Sequence, residues 1–160
     1  MNLLLSRILT YLNGTLFNVN NDYYVLSRYI VFHYVDFEDI ELDEILKETG
    51  VSKEVALTYF SLYGYATFEE FKAVLVNDYY TRLDQIRARM LGLDSKQLIH
   101  DMQKDCSDEE MFAYISKICE SIDQSDRVIL FGALYPLCIS VELQTDLITF
   151  GKPVIQYHSW

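Results

Sequence analysis

Glycine and proline are scarce in this chain: two prolines and six glycines serve 160 residues. Glycine supplies the positive φ of tight turns and proline interrupts helices and ladders, so few obligatory breaks exist. Long helices are the expected outcome. Between Asp22 and Tyr34, Leu26, Tyr29, Ile30 and His33 fall at helical spacing, with Val25, Val31 and Phe32 on the other faces. A helix apolar nearly all round is expected to be covered twice, by its own core and by a partner. Leu42, Ile45 and Leu46 share one face of a short helix that stops at Gly50, and Ser52 is a good N-cap for a further helix to about Tyr63, ended by Gly64. Helix, tight glycine turn, helix is the pattern of a helix-turn-helix and equally of an αα-hairpin, and spacing alone does not choose between them.

Two capping boxes follow. Thr67 with Glu70 opens a helix through Phe68, Phe71, Val74 and Leu75 to about Met90. Ser107 with Glu110 opens another, whose face of Met111, Tyr114, Ile115, Ile118 and Ile122, with Cys119 beside it, is expected to pack in the core. From Asp126 the pattern changes. Val128 to Phe131 is a short apolar run ending in Gly132, as in a strand buried in a parallel sheet. Pro136 suits a helix start, Leu137, Val141, Leu143, Leu147 and Ile148 run to a Gly151 stop, and Val154 to Tyr157 reads as a second strand. This is one βαβ unit.

Composition narrows the function. A hydrophobic content of 51% is enough for a core. No stretch approaches the ~18 apolar residues of a membrane span, and Leu3, Leu4 and Leu5 are followed by Arg7 rather than a small-residue cleavage site, so a cytoplasmic chain without a membrane partner is expected. Cys106, Cys119 and Cys138 are odd in number and lack Cys-x-x-Cys spacing, and His33, His100 and His158 stand far apart; neither a disulfide framework, a metal site nor a cofactor is suggested. The acidic run Asp36, Glu38, Asp39, Glu41, Asp43 and Glu44 lacks the frame of a calcium loop and reads as a solvated helix entry. Twenty-four acids against thirteen bases give a net charge of −11, which opposes unspecific attraction to nucleic acid. Thirteen tyrosines and nine phenylalanines exceed what such a core needs and hint at a protein interface.

The segment from Leu26 to Leu75 carries Glu-Thr-Gly-Val-Ser at Glu48 to Ser52 and Tyr-Gly-Tyr-x-x-Phe-x-x-Phe-Lys at Tyr63 to Lys72. It resembles the N-terminal domain of the RpiR/MurR family of bacterial transcriptional regulators, which join a helix-turn-helix domain to a phosphosugar-sensing sugar isomerase (SIS) domain. The Asp126 to Tyr157 unit is similar to the opening βαβ of that domain. The resemblance implies a mainly α fold, a helix-turn-helix bundle followed by a short α/β fragment: residues 1–92 as the helix-turn-helix domain, 93–125 as a helical linker and 126–160 as a partial SIS-like unit. It implies a cytoplasmic, homodimeric regulator, of sugar-metabolism genes and not an enzyme, with DNA contacts carried over to Ser52, Lys53, Glu54 and Thr58.

The departures bear on function. Val55 stands where the family usually has Thr, Thr58 where it has Arg, and Ser61 and Leu62 where it has further basic residues, so Lys53 is the only cation on the candidate recognition helix. The phosphosugar loop, usually Gly-x-Gly-x-Ser, here reads Gly132-Ala133-Leu134-Tyr135-Pro136; only Gly132 remains as a ligand-binding candidate, Pro136 has no N–H to donate, and an impaired or absent sensor is expected. The alternative reading is a degenerate paralogue acting as a protein-interaction or dimerisation module without DNA binding.

Overall fold

The computed structural model describes residues 4–15, 20–91, 100, 109–132 and 137–158. Among them the chain is mainly helical with a small parallel sheet: α1 (Leu4–Gly14), α2 (Asp22–Phe32), α3 (Leu42–Thr49), α4 (Lys53–Leu62), α5 (Phe68–Leu91), α6 (Glu109–Gln124), β1 (Val128–Gly132), α7 (Leu137–Thr149) and β2 (Val154–His158). The element order follows the glycine and capping signals closely.

α1 is the helix around which the bundle closes. Leu4, Leu5, Ile8, Leu9 and Leu12 lie on one stripe and all are buried, each contributing about 1.5–3 kcal/mol relative to exposure. Its first backbone donors are satisfied from far along the chain, where the Leu4 N–H donates to Asp78 Oδ2 on α5.

α2 starts at the N-cap Asn21, whose side chain accepts from the Tyr23 N–H at 2.8 Å. Tyr24, Leu26, Ser27, Tyr29, Ile30 and Val31 are all buried. The sequence assigned one of its two covers to a partner; instead α1 packs on it together with α3 and α4 of the same chain. Part of the aromatic surplus is likewise spent inside: Phe37, Tyr59, Phe60, Phe68 and Phe71 are buried together, with the Phe60 and Phe71 rings 4.7 Å apart. The apolar faces of α2 therefore do not argue for an interface.

α3 ends where Gly50 takes φ +70° and its N–H bonds the Leu46 carbonyl at 3.0 Å. Three residues later α4 has begun, with the Ser52 hydroxyl accepting from the Val55 N–H at 3.4 Å. The Thr67 hydroxyl accepts from the Glu70 N–H at 3.2 Å, while the Glu70 carboxylate reaches back to the Ala66 N–H at 2.9 Å. α5 then buries Phe68, Phe71, Leu75, Asp78, Arg82 and Ile86, a stripe at three- and four-residue steps. Ser107, the expected cap of α6, lies outside the described residues.

β1 and β2 pair in parallel with Val128 opposite Val154 and Leu130 opposite Gln156, so these four side chains share one face. That face is covered by α7 and by α1. Val154 and Ile148 join the bundle's core, Gln144 donates to the Val154 carbonyl at 3.1 Å, and Asn13 of α1 donates to Gln144 at 3.0 Å. Arg82 of α5 pairs with Glu142 and Asp146 of α7 at 2.7 and 2.8 Å.

Two packing expectations are corrected. β1 is not a strand buried on both faces, because Ile129 on the far side is 58% exposed. The apolar face of α6 is not core packing throughout, because Tyr114 and Ile118 are exposed while Ile115 and Ile122 are half-buried. A two-stranded sheet has too little surface to enclose itself, and α1, one of the two helices that cover it here, was assigned no such role by its sequence.

Candidate nucleic-acid interface

α4 divides cleanly into an inner and an outer face. Ala56, Tyr59 and Phe60 are buried, with Val55, Leu57 and Tyr63 half-buried beside them. Ser52, Lys53, Glu54, Thr58, Ser61 and Leu62 are all exposed. The four residues carried over as DNA contacts therefore lie at the N-terminal end and outer side of one helix, and no described element covers them.

The local hydrogen bonds limit what these groups offer. The Thr58 hydroxyl donates to the Glu54 carbonyl at 2.8 Å and the Ser61 hydroxyl to the Thr58 carbonyl at 2.7 Å, so each presents oxygen lone pairs outward. Glu54 turns back onto its own backbone N–H and the Ser52 hydroxyl, which holds its carboxyl below the usual glutamate range. A fixed negative charge in the first turn suits the helix dipole and disfavours a phosphate at the same place.

The charge balance is unfavourable for DNA. From Leu42 to Leu62 four carboxylates, Asp43, Glu44, Glu48 and Glu54, oppose two ammonium groups, Lys47 and Lys53. Non-specific affinity comes from neutralising phosphates, and this unit brings little of it. One further cation was missed by sequence reasoning. Arg7 on α1 reaches the far end of α4, donating to the Tyr63 carbonyl at 3.0 Å with its guanidinium 5.0 Å from the Tyr63 ring centroid. Its only signal in the sequence was isolation, since no other base occurs before Arg28.

The chain matches no family model, no curated protein and no solved structure. The second candidate site is less informative. Gly132 closes β1 opposite His158, and Ala133 to Pro136, the loop expected to have lost its phosphate cradle, lie outside the described residues. His33 stacks on Tyr29 at 4.1 Å and its Nδ1 lies 2.9 Å from the Tyr29 carbonyl, so it is a packed histidine. No cluster of His, Cys, Asp and Glu with metal-binding geometry occurs among the described residues, and no described helix is long and apolar enough to cross a membrane.

Proposed function

We propose that this chain is a DNA-binding transcriptional regulator of the RpiR type, in which α3, the Gly50 turn and α4 form the helix-turn-helix and α4 enters the major groove. The observation that carries the reading is the placement of Ser52, Lys53, Glu54 and Thr58 together on the free side of a helix whose other side is locked into the bundle. Recognition helices meet base edges through their N-terminal residues. Residues 126–160 serve in this reading as a partial SIS-like unit with an impaired or absent phosphosugar sensor, and a homodimer sets the spacing of the two α4 helices. The genes controlled would be those of sugar metabolism, by the same resemblance.

A second reading is favoured by the charge of the unit. A neutral α4 face with Leu62 61% exposed, in a chain of net charge −11, suits a protein-interaction module of the same fold. Lys53→Glu separates the two. Measured by fluorescence polarisation on duplex promoter fragments at low salt, the substitution weakens DNA binding about tenfold or more if Lys53 faces phosphate. Equal affinity of the two proteins would remove the groove-insertion model.

A further inference from the structure

A hollow of about 500 Å³ opens where α1, α2 and the end of α4 meet. That is within the size range of small-molecule sites. Its walls are tyrosine rings: Tyr59 forms the buried floor, with Tyr23 5.7 Å and Tyr63 5.1 Å away by ring centroid at inclinations of 52° and 61°, and Tyr11 completes the side. Ser27 and the Tyr59 hydroxyl, 2.8 Å apart, satisfy each other beneath the floor; Tyr59 is itself 1% exposed, so the surface facing the hollow is that of the half-buried Tyr11, Tyr23 and Tyr63, with Thr10 and Leu62 beside them. Arg7 stands at the rim.

Three features select the ligand. Tyrosine faces inclined to one another offer both stacking and edge contacts to a flat ring. Among the described residues no carboxylate lines the hollow, although acids outnumber bases almost two to one in the chain. Among the described residues no Asp or Glu pairs with Arg7, and the Tyr63 carbonyl occupies only one of its five N–H groups, leaving a planar fork for a planar anion. A cation would be held by the rings but repelled by Arg7, and a sugar phosphate would find one guanidinium and no second cation among the described residues that line the hollow.

We propose that this hollow is a binding site for a small flat aromatic carboxylate, its ring system against Tyr11, Tyr23 and Tyr63 and its carboxylate on Arg7. The site stands independently of the DNA contacts proposed for Ser52, Lys53, Glu54 and Thr58, none of which lines it; of the exposed residues of α4, Leu62 does.

The test uses the full chain and a fluorescent hydroxynaphthoate, read by its emission and polarisation. Two comparison probes are its uncharged amide and its ring-saturated acid. Saturable binding below about 1 mM is expected for the acid. Arg7→Gln should weaken that binding about five- to tenfold and leave the amide unchanged, while Tyr23→Leu should weaken both aromatic probes. Circular dichroism and the unfolding midpoint of each variant check that the bundle is intact, which the exposed position of Arg7 favours. The proposal is overturned if binding does not saturate, if the ring-saturated acid binds as tightly, or if an intact Arg7→Gln protein binds the naphthoate like the wild type.

Discussion

Replacing Asp78 tests how α1 is held in the bundle. Asp78 is 3% exposed on α5, and its carboxylate accepts from the backbone N–H groups of Leu4 and Leu5 at the start of α1, capping a helix that lies more than seventy residues away in sequence. Asp78→Ala strands both donors where water has little access; at about 1–3 kcal/mol for each unsatisfied buried group, less partial relaxation, the loss is about 2–4 kcal/mol. For a chain of this length that lowers the melting temperature by roughly 4–16 °C. Asp78→Asn keeps an acceptor oxygen and is expected to cost less than about 1 kcal/mol, because burial outweighs the two hydrogen bonds and raises the carboxyl's pKa above its ordinary value. The sign follows: the folded chain binds this proton more tightly than the unfolded one, so the contribution is largest when the group is protonated and is lost as pH rises from the ordinary aspartate value of 3.8 through the raised one. Urea unfolding of the three proteins at several pH values is the assay. The wild type should gain on Asp78→Asn as the pH falls. Equal stability of wild type and Asp78→Ala, or an equal loss in Asp78→Asn, would refute the capping role.

Gly50→Ala places a Cβ in open space but at φ +70°, so it should cost about 1 kcal/mol through conformation alone, read as a lower urea midpoint with unchanged slope. Gln144→Met removes a fully buried amide that bonds Asn13 and the Val154 carbonyl; about 2–3 kcal/mol should be lost, with hydrogen exchange rising first in β2. An unchanged exchange pattern would show that the sheet is held without that tie. Ser27→Ala should destabilise by about 1 kcal/mol or more by leaving the Tyr59 hydroxyl short of a buried partner, and adding Tyr59→Phe should recover part of the loss in a double-mutant cycle.

Local chemistry was legible in the sequence, and long-range cover was not. Gly50, Ser52, Thr67 with Glu70, and Gly151 each act through groups a few residues away, so the order of types along the chain was enough to place them. The two strands were equally readable, since an apolar run after a helix has few other uses. What the sequence could not convey is which apolar surface meets which. Leu4 to Leu12 carried no sign that they would be central, because their cap is Asp78 and their neighbours include β2. The same gap made α2 look as though it needed a partner and made α6 look like core. At the candidate site the cap and the exposed positions were readable, but Arg7 beside Tyr63 was not, since fifty-six residues separate them.

The claim that α4 meets DNA is tested most directly by restoring the missing cation. Thr58 is exposed on the outer face and among the described residues its side chain bonds only the Glu54 carbonyl of its own helix, so Thr58→Arg leaves the bundle untouched. Affinity for duplex promoter fragments is measured for wild type and Thr58→Arg across a series of salt concentrations. The account predicts measurable wild-type binding at low salt, tighter binding by Thr58→Arg, and a steeper dependence of log affinity on log salt by about one unit for each added phosphate contact. Absence of binding by both proteins, or an affinity and salt slope unaltered by the arginine, would contradict it.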